Sequence, residues 1–600
     1  MLKHRLLIFF LLYSGFQALF LGQEKKDSLY TKIEEFSDKR KYTKFLHRFV
    51  FRREADSVSV PSSKNVNKEI NYEGKTIRSI AIETIDPFGY TKTQRREDSK
   101  WYDRLAEKVH IETTHSTVKN YLMFKEGEPF NSQKIYESER LLRTMAFVNR
   151  VDIRADENTS TRDSVDVKVK LLDSWSLQPR LNFSGSELGI GAAEENFMGW
   201  GHELEVIYTK NFSTQQNHLY GRYTANNLKG TYINATLVGE RDFFNNENIT
   251  LSATRGFFSP LTRWAGGFTF DFFKRHVALP TTEAATFPSM QIKVFRQDLW
   301  AGYQFPVLTG ADGLISRNIA ILGRFQNYQF KDNPETDENG FFRTSNSILV
   351  SALFTDRKYE VKRNVFRYEL PEDIPYGKSF GVTAGSLIES NIAVPYAGMS
   401  ASFGEFFKLG YYSMKAEYGR FFNADQHNRN EFKIEGSYFT PLQHWGFARV
   451  RHFFSPTYVL GNSYYNYSYQ NRINLSAANE FPIFSGDYIG TQKLILRYQM
   501  QFFLNKHWKN FRFNPYLTTN IGWLSQNEKS LFSSPLQSKI GVGLLIYNPF
   551  LVFNRIQISF MYYPKTPFDN KPGYAFDQYR NDMFPIQQFD TDIPHFVNFP

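Results

Sequence analysis

An alternation of apolar and polar side chains runs through this chain from Trp175 to Pro564. It is clearest over residues 493–502, where leucine, tyrosine, methionine and phenylalanine at every second position alternate with a mostly polar set. A period of two places the two sets on opposite faces of a β-strand. The pattern recurs over 412–419 and 431–438, so the sequence predicts a series of strands with one apolar and one polar face.

Two architectures satisfy this pattern. In a soluble secreted sandwich the apolar faces point inward, whereas in a transmembrane barrel they meet lipid and the polar faces line a wet lumen. Aromatic residues make up 17% of the chain, and many stand near predicted strand ends, as in Phe257–Phe258, Phe272–Phe273 and Phe406–Phe407. The aromatic girdles of a membrane barrel would use such residues. A sandwich whose strands favour aromatic residues is the alternative.

The first 22 residues have the profile of a secretory signal peptide. A basic start at Lys3 and Arg5 is followed by a mostly apolar run that ends near Gly22. This predicts export from the cytoplasm; an uncleaved anchor helix is the alternative, because no good A-x-A site precedes Gln23. No later apolar run is long enough for a membrane helix, and the mean hydropathy is −0.46. Any membrane insertion therefore has to use strands.

Residues 23–71 are predicted to form a basic amphipathic helix and a polar linker. Basic residues between Lys39 and Arg53 are interleaved with phenylalanine and leucine, which favours a helix on a membrane leaflet or at a barrel mouth. A solvated helix docked on protein explains the same pattern. The net charge of +11 fits a polar lumen or contact with anionic lipid or lipopolysaccharide, and no nucleic-acid motif accompanies it.

A compact block with the element order β-α-α-β-β is predicted for residues 72–174. Ser116 and Asn131 are the expected N-caps of its two helices. Its last two strands are expected over 148–154 and 165–172, the second with strict alternation. The predicted core of this block comprises Ile80, Ile82, Ile135, Leu142, Phe147, Val151, Val167 and Val169.

This element order, with Gly127–Phe130 ahead of the second helix, resembles a POTRA domain, present in one copy. A short segment downstream resembles the E-x-N-F-x-G-x-G turn that joins early barrel strands in the BamA/TamA superfamily of outer-membrane proteins. Residues 257–267 are similar to a strand–turn–strand of members from Bacteroidota, so the chain resembles the single-POTRA surface antigen family. We assign Glu195, Asn196, Phe197, Gly199 and Gly201 to this turn.

The resemblance covers Tyr72 to Pro564 and implies an all-β transmembrane barrel of about sixteen antiparallel strands in the bacterial outer membrane. The barrel would occupy residues 175–564, with the POTRA domain in the periplasm. About 390 residues divided among sixteen strands leave roughly two dozen each, enough for a membrane strand and a turn or loop. Residues 565–600 would then be the closing strand or an extra periplasmic segment.

One departure from the family pattern concerns mechanism. The family usually carries an Arg-Gly-Phe/Tyr tripeptide on a late loop that folds into the lumen, and the matching region Tyr464–Gly490 has none. If that tripeptide locks the loop against the barrel wall, this protein has to lock it differently or do without.

The resemblance implies a role in the assembly, insertion or translocation of proteins at the outer membrane. Unfolded clients would pair with an edge strand of the POTRA sheet, and periplasmic or lipoprotein accessory subunits would be further partners. The alternative is an outer-membrane channel or solute transporter that keeps the POTRA domain as a handle, which the missing tripeptide favours.

Enzymatic activity is not indicated by the residues. Zero cysteines exclude disulfides, thiolate metal sites and cysteine nucleophiles. No G-x-S-x-G nucleophile elbow is present, and the 12 histidines show no H-E-x-x-H spacing. We therefore predict no catalytic residues, no metal site and no cofactor.

Overall fold

The architecture described here is that of a computed structural model of the protein. Among the residues that it describes, no helix is long and apolar enough to cross a membrane. The predicted signal peptide, basic helix and linker, residues 1–71, lie outside the described part of the chain. The structure describes residues 72–87, 111–184, 186–278, 289–309, 314–332, 344–389, 391–422, 430–461, 473–476, 480–481, 489–506, 511–525, 530–547, 556–567, 570–576, 580–589 and 591–597.

The first part of the structure is a small α/β unit with the element order β-α-α-β-β. The elements are β1 (Thr76–Ile85), α1 (His115–Asn120), α2 (Ser132–Arg143), β2 (Val148–Ala155) and β3 (Ser164–Asp173). The sheet has the order β1-β3-β2, with β1 parallel and β2 antiparallel to the central strand β3.

Both helices begin at a capping side chain. The Asn131 side chain accepts from the backbone N–H of Lys134 at 2.9 Å, as its position in the sequence predicts. Helix α1 is capped by Thr114, whose hydroxyl accepts from the N–H of Thr117 at 3.1 Å. The prediction of Ser116 as this cap was wrong, because Ser116 already lies within the helix.

The core of the small unit lies between its sheet and the two helices. Ile77 is fully buried, whereas Ile80 and Ile82 are only partly buried and pack against the core. A β-bulge between Ile77 and Ser79 shifts the register of β1 against β3, so strict alternation does not hold along β1. The other predicted core residues, all buried, are Ile135, Leu142, Phe147, Val151, Val167 and Val169.

The rest of the described chain forms a closed antiparallel barrel, which confirms the predicted fold class. The early strands are short: β4 (Leu177–Ser184), β5 (Glu187–Phe197), β6 (His202–Asn211), β7 (Asn217–Ala225), β8 (Asn234–Arg241) and β9 (Glu247–Arg255). The longer strands are β10 (Trp264–Ala278), β11 (Ser289–Thr309), β12 (Ile315–Asp332), β13 (Ser345–Arg363), β14 (Pro371–Glu389), β15 (Ile392–Phe407), β16 (Gly410–Phe421) and β17 (Asn430–Phe439).

The last strands complete the wall. They are β18 (Gln443–His444), β19 (Ala448–Gly461), β22 (Gln492–Leu504), β23 (Arg512–Ser525), β24 (Gln537–Tyr547), β25 (Ile556–Tyr563) and β26 (Gly573–Phe576). Two short strands, β20 (Ile473–Asn474) and β21 (Ile489–Gly490), form a separate pair. Because β17 and β18 both pair with β19, they act as one interrupted strand, and the described wall has 20 strands.

The expected number of about sixteen strands was too low. The estimate assumed roughly two dozen residues for each strand and its connection. The six strands β4–β9 lie between Leu177 and Arg255, about 13 residues per strand, because tight turns join short strands there.

The distribution of apolar and polar residues shows that the barrel faces lipid. The polar set of β22 points inward, with Lys493, Gln499 and Gln501 fully buried. A soluble sandwich would bury the apolar face instead, so that alternative was wrong, and the outward apolar belt is that of a membrane barrel. Large apolar residues exposed on the outer wall include Val206, Leu237, Ile249, Leu251, Ile321, Ile348, Val350, Phe380, Val382, Met399, Val542 and Phe560.

The aromatic pairs are not all part of an outer girdle. Phe257 is buried against residues of β10, β12 and β13, and its carbonyl accepts from Arg357 of β13 at 3.1 Å. Phe273 is buried while its neighbour Phe272 is exposed, because adjacent residues of a strand face opposite sides. The same holds at the end of β15, where Phe407 is exposed and the preceding phenylalanine packs inside.

Candidate functional site at the barrel mouth and lumen

The turn between β5 and β6 joins the barrel to the small unit. Asn196 is buried at its centre, where its side-chain amide donates to Thr113 Oγ1 at 2.9 Å and its side-chain oxygen accepts from the N–H of Gly201 at 2.8 Å. Thr113 in turn donates to a carboxylate oxygen of Asp173, at the end of β3, at 2.7 Å. One buried amide therefore connects the turn to the last strand of the small unit.

The two glycines of this turn are required by its geometry. Gly199 has φ of +75°, and a Cβ there would lie 2.4 Å from the carbonyl oxygen of Glu112. Its own carbonyl accepts from the N–H of Thr114 at 3.1 Å, which is the cap of α1. Gly201 has φ of +70°, and a Cβ there would lie 2.8 Å from the ring of Phe147. The glycines thus allow the turn to approach the small unit closely.

Glu195 and Phe197 take less part in this joint. The N–H of Glu195 donates to the carbonyl of Ser176 at 2.9 Å, and the ring of Phe197 contacts Tyr223 edge-on at 6.2 Å. Asn196, Gly199 and Gly201 are therefore the residues of the five-residue motif that touch the small unit. The predicted core residues of the small unit lie behind them and meet the joint through Phe147.

Helix α2 packs against the barrel mouth through charged residues. Arg143 pairs with Asp373 of β14 at 2.8 Å and with Glu139 at 3.0 Å, and all three side chains are about nine-tenths buried. Arg140 pairs with Glu137 at 2.8 Å and donates to the carbonyl of Phe258 at 2.5 Å. These contacts fix the helix below the lumen.

The electrostatics of these arginines follow from their partners. Burial alone would lower the pKa of Arg140, but the neighbouring Glu137 carboxylate more than compensates, so the pKa lies above its ordinary value. The pKa of Arg143 is raised in the same way, since Asp373 and Glu139 outweigh the effect of burial. Both guanidinium groups therefore stay charged at the interface, and removing Glu137 would leave the buried charge of Arg140 without its carboxylate.

The barrel closes where its last strand meets its first. Strand β26 lies beside β4, and β26 is only four residues long. By comparison, β13 and β14 pair over 19 positions. We call the boundary between β26 and β4 the seam. At most four residues of β26 can pair across it.

Between β19 and β22 the structure describes residues 473–476, 480–481 and 489–491, and Glu480 binds charged residues on the inner wall. Glu480 pairs with Lys493 at 3.2 Å and with Arg497 at 2.9 Å, and all three side chains are almost fully buried. Asn520 donates to the carbonyl of Glu480 at 2.8 Å. The ring of Phe481 packs against Gly522, where a Cβ would lie 2.9 Å from the ring. The sequence has no Arg-Gly-Phe/Tyr tripeptide over Tyr464–Gly490, and the described contacts of this segment with the wall include a buried carboxylate bound by two cations.

The C-terminal tail also occupies the lumen. Its described residues, 580–589 and 591–597, contact the inner wall from β11 to β22. Strand β26 lies within residues 565–600, and the described residues after it contact the inner wall.

A cavity of about 540 Å³ lies where α2, the connection between β13 and β14, and the tail meet. Charged residues of both signs line it, among them Arg143, Arg367, Glu372, Asp373 and Asp582. Within the described residues, no group of histidine, aspartate and glutamate side chains is arranged to hold a metal ion.

The sequence indicated some of these residues and not others. Lys493 and Arg497 belong to an alternating polar face that was recognised, but their partner Glu480 lies in a loop with no periodic pattern. The two cations were themselves a signal, because two positive charges on one buried face of a strand require a carboxylate partner. The lumenal course of the tail has no comparable local signal, since its partners are far away in the sequence.

No protein-family model matches the sequence, and no curated protein matches it. Solved structures do match over most of the chain. CdiB from Escherichia coli is 12% identical with a TM-score of 0.37, covering 92% of this chain and 97% of that one. BamA from Haemophilus ducreyi lacking POTRA domains 1–3 is 12% identical with a TM-score of 0.34, covering 92% and 94%. The copper transporter OprC is 8% identical with a TM-score of 0.33, covering 82% and 87%.

Proposed function

We propose that this protein is an outer-membrane barrel that takes part in the assembly, insertion or translocation of other proteins. In this proposal a signal peptide directs the chain out of the cytoplasm, and the small β-α-α-β-β unit is a single POTRA domain in the periplasm. The outward apolar belt supports a membrane location. No catalytic step and no cofactor are needed.

The seam is the observation that carries this proposal. A strand of four residues offers only about four backbone hydrogen bonds, each worth about 0.5–1.5 kcal/mol net. Every other boundary of the wall between consecutive long strands has many more, as between β13 and β14. The boundary between β25 and β26 also pairs over only four positions, so the wall would open first beside β26. Opening at the seam would free the edge of β4, which would offer its backbone groups to a new strand.

The small unit supports the proposal because of its place at the barrel mouth. Strands β1 and β2 lie at the two edges of its sheet, and an edge strand can take up an unfolded segment by backbone pairing without reading its sequence. The buried contacts of α2 with β14 hold this sheet next to the lumen. A client segment captured there would be held close to the barrel. Accessory subunits and anionic lipid or lipopolysaccharide remain proposed partners.

A channel or solute transporter is the second candidate function. The polar inner face of strands such as β22 favours it, because a polar lumen conducts readily. Conductance in planar bilayers, compared with a variant lacking residues 72–173, discriminates the two functions. A large steady pore in the full chain that is indifferent to the deletion would favour transport.

Depletion of the protein followed by proteomics of purified outer membranes tests the main proposal. We expect selective loss of other barrels or surface proteins, with lipid content unchanged. An unchanged proteome, together with altered uptake of small solutes, would overturn the proposal in favour of transport.

A further inference from the structure

The C-terminal tail is bound inside the barrel like a peptide ligand. At its start, Asn581 is fully buried. Its carbonyl accepts from Gln499 of β22 at 2.9 Å, and its side-chain amide donates to the carbonyl of Phe366 at 2.5 Å and to Gln501 at 3.2 Å. The wall thus recognises both the backbone and the side chain of this residue.

Two phenylalanines anchor the middle of the tail. Phe584 is buried and contacts the ring of Phe453 at 5.3 Å. Phe589 is buried against Gly404, where a Cβ on that glycine would lie 2.3 Å from the phenyl ring. A glycine in β15 therefore provides the space that the Phe589 ring fills. Since each aromatic ring of this size buries a large apolar area, these two contacts contribute much of the binding.

Charged groups hold the next part of the tail. Asp592 pairs with Lys415 of β16 at 2.7 Å, and His595 lies 3.1 Å from Glu417 of the same strand. Between them, Arg324 of β12 donates to a backbone carbonyl of the tail at 2.8 Å. The tail thus offers an acidic and then a basic side chain to a basic and then an acidic side chain of the wall, which favours one register of the segment.

The last described residues are held by aromatic contacts and one hydrogen bond. The ring of Phe596 lies 4.8 Å from Tyr396 and 5.0 Å from Phe421. The N–H of Val597 donates to the hydroxyl of Tyr396 at 2.9 Å. The tail therefore contacts strands from β15 to β22, and it also contacts β11 and β12.

These contacts combine general and specific recognition. Side-chain donors on the wall bind backbone carbonyls of the tail, which any extended polypeptide can offer, whereas the phenylalanine sites and the charge pairs select a sequence. We propose that the inner wall from β11 to β22 is a binding site for an extended polypeptide, with the chain's own C-terminal tail as the resident ligand that closes the lumen. This inference is independent of the assembly role, because its test measures binding and conductance and not client assembly.

The test uses a variant that ends at residue 579, studied in planar bilayers beside the full chain. We expect a steady conductance at least several-fold above that of the full chain. A synthetic peptide of residues 580–597 should then reduce the conductance of the truncated variant in a saturable manner, whereas a scrambled peptide of the same composition should not. Equal conductance of the two proteins, or equal blocking by both peptides, would overturn the inference.

A charge exchange tests the binding register. In the truncated variant, Lys415→Glu should weaken the peptide at least ten-fold, and a peptide carrying Asp592→Lys should regain most of that loss. Arg222→Glu is the control for an added carboxylate, because Arg222 lies on β7, outside the strands β11 to β22, and pairs with Glu205 at 3.1 Å. An equal effect of the two wall substitutions would contradict the proposed site.

A second readout covers the case in which the truncated variant fails to fold. The chain has no cysteine, so Thr591→Cys introduces a single thiol in the tail of the full chain. Labelling by a water-soluble maleimide should be slow in this protein and at least ten-fold faster when Lys415→Glu is added. Equal labelling rates would show that the tail is not held by this contact and would overturn the inference.

Discussion

Replacing Glu480 by alanine should destabilise the barrel more than any other loss of one lumenal carboxylate. The side chain is 2% exposed and neutralises two wall cations, Lys493 at 0% and Arg497 at 6% exposure. Removing one partner of a buried ion pair costs about 3–5 kcal/mol, because the remaining charge stays buried without compensation. Here two buried cations lose the same carboxylate, so we expect a loss at the upper end of that range.

The free energy of unfolding in detergent micelles, followed by tryptophan fluorescence in a denaturant series, measures this loss. Glu435→Ala is the matched control: its carboxylate pairs with Lys433 at 3.2 Å but is 37% exposed, so its loss should cost less than about 1 kcal/mol. A triple variant with Glu480→Leu, Lys493→Met and Arg497→Met should recover most of the stability. A loss below about 1 kcal/mol for Glu480→Ala, or a loss equal to that of the control, would refute the reasoning.

Three further predictions concern the small unit. Gly199→Ala should loosen the joint between the small unit and the barrel, because φ at Gly199 is +75° and a Cβ there would lie 2.4 Å from a backbone carbonyl oxygen. Limited proteolysis should then cut faster between the two parts, and an unchanged rate would contradict the prediction. Arg143→Ala should weaken the docking of α2 by about 3–5 kcal/mol, because two buried carboxylates lose this cation. Asp373→Ala should cost less, because Arg143 keeps Glu139, and the double variant should cost less than the sum of the two in a double-mutant cycle. Because Arg78 holds the pKa of Asp166 below its usual range, this contribution to stability is complete at neutral pH and is lost as the pH falls below about 4. Asp166→Asn should therefore reduce the acid sensitivity of hydrogen exchange in β1 and β3, and an unaltered pH profile would argue against this pair.

Local patterns in the sequence predicted much of the fold. The alternation around Lys493 predicted strand β22 and its two faces, and Asn131 predicted the start of α2, since both signals depend on neighbouring residues. The number of strands was not predictable from chain length, because the strands before Arg255 are much shorter than those after it. The bulge in β1 likewise changed which isoleucines are buried.

The lumenal contacts were not predictable because they join distant parts of the chain. Asp592 and Lys415 are 177 residues apart; Lys415 lies on the polar face of the alternation over 412–419, but Asp592 belongs to no pattern. Glu480 and Arg497 are 17 residues apart but lie on a loop and a strand whose relation depends on the barrel curvature. A charge without a partner in an alternating face indicates that a partner exists, but the three-dimensional fold decides which residue it is.

A disulfide across the seam tests the central claim most directly. Single cysteines in β26 and β4, scanned for a pair that oxidises, would fasten the last strand to the first in a chain that has no other cysteine. Met561→Cys with Ala575→Cys is the control, because that pair joins β25 to β26 without crossing the seam. In cells depleted of the natural protein, the oxidised seam variant should fail to restore the lost outer-membrane proteins until a reductant is added, whereas the control should restore them. Full restoration by the oxidised seam variant would contradict an assembly route through the seam.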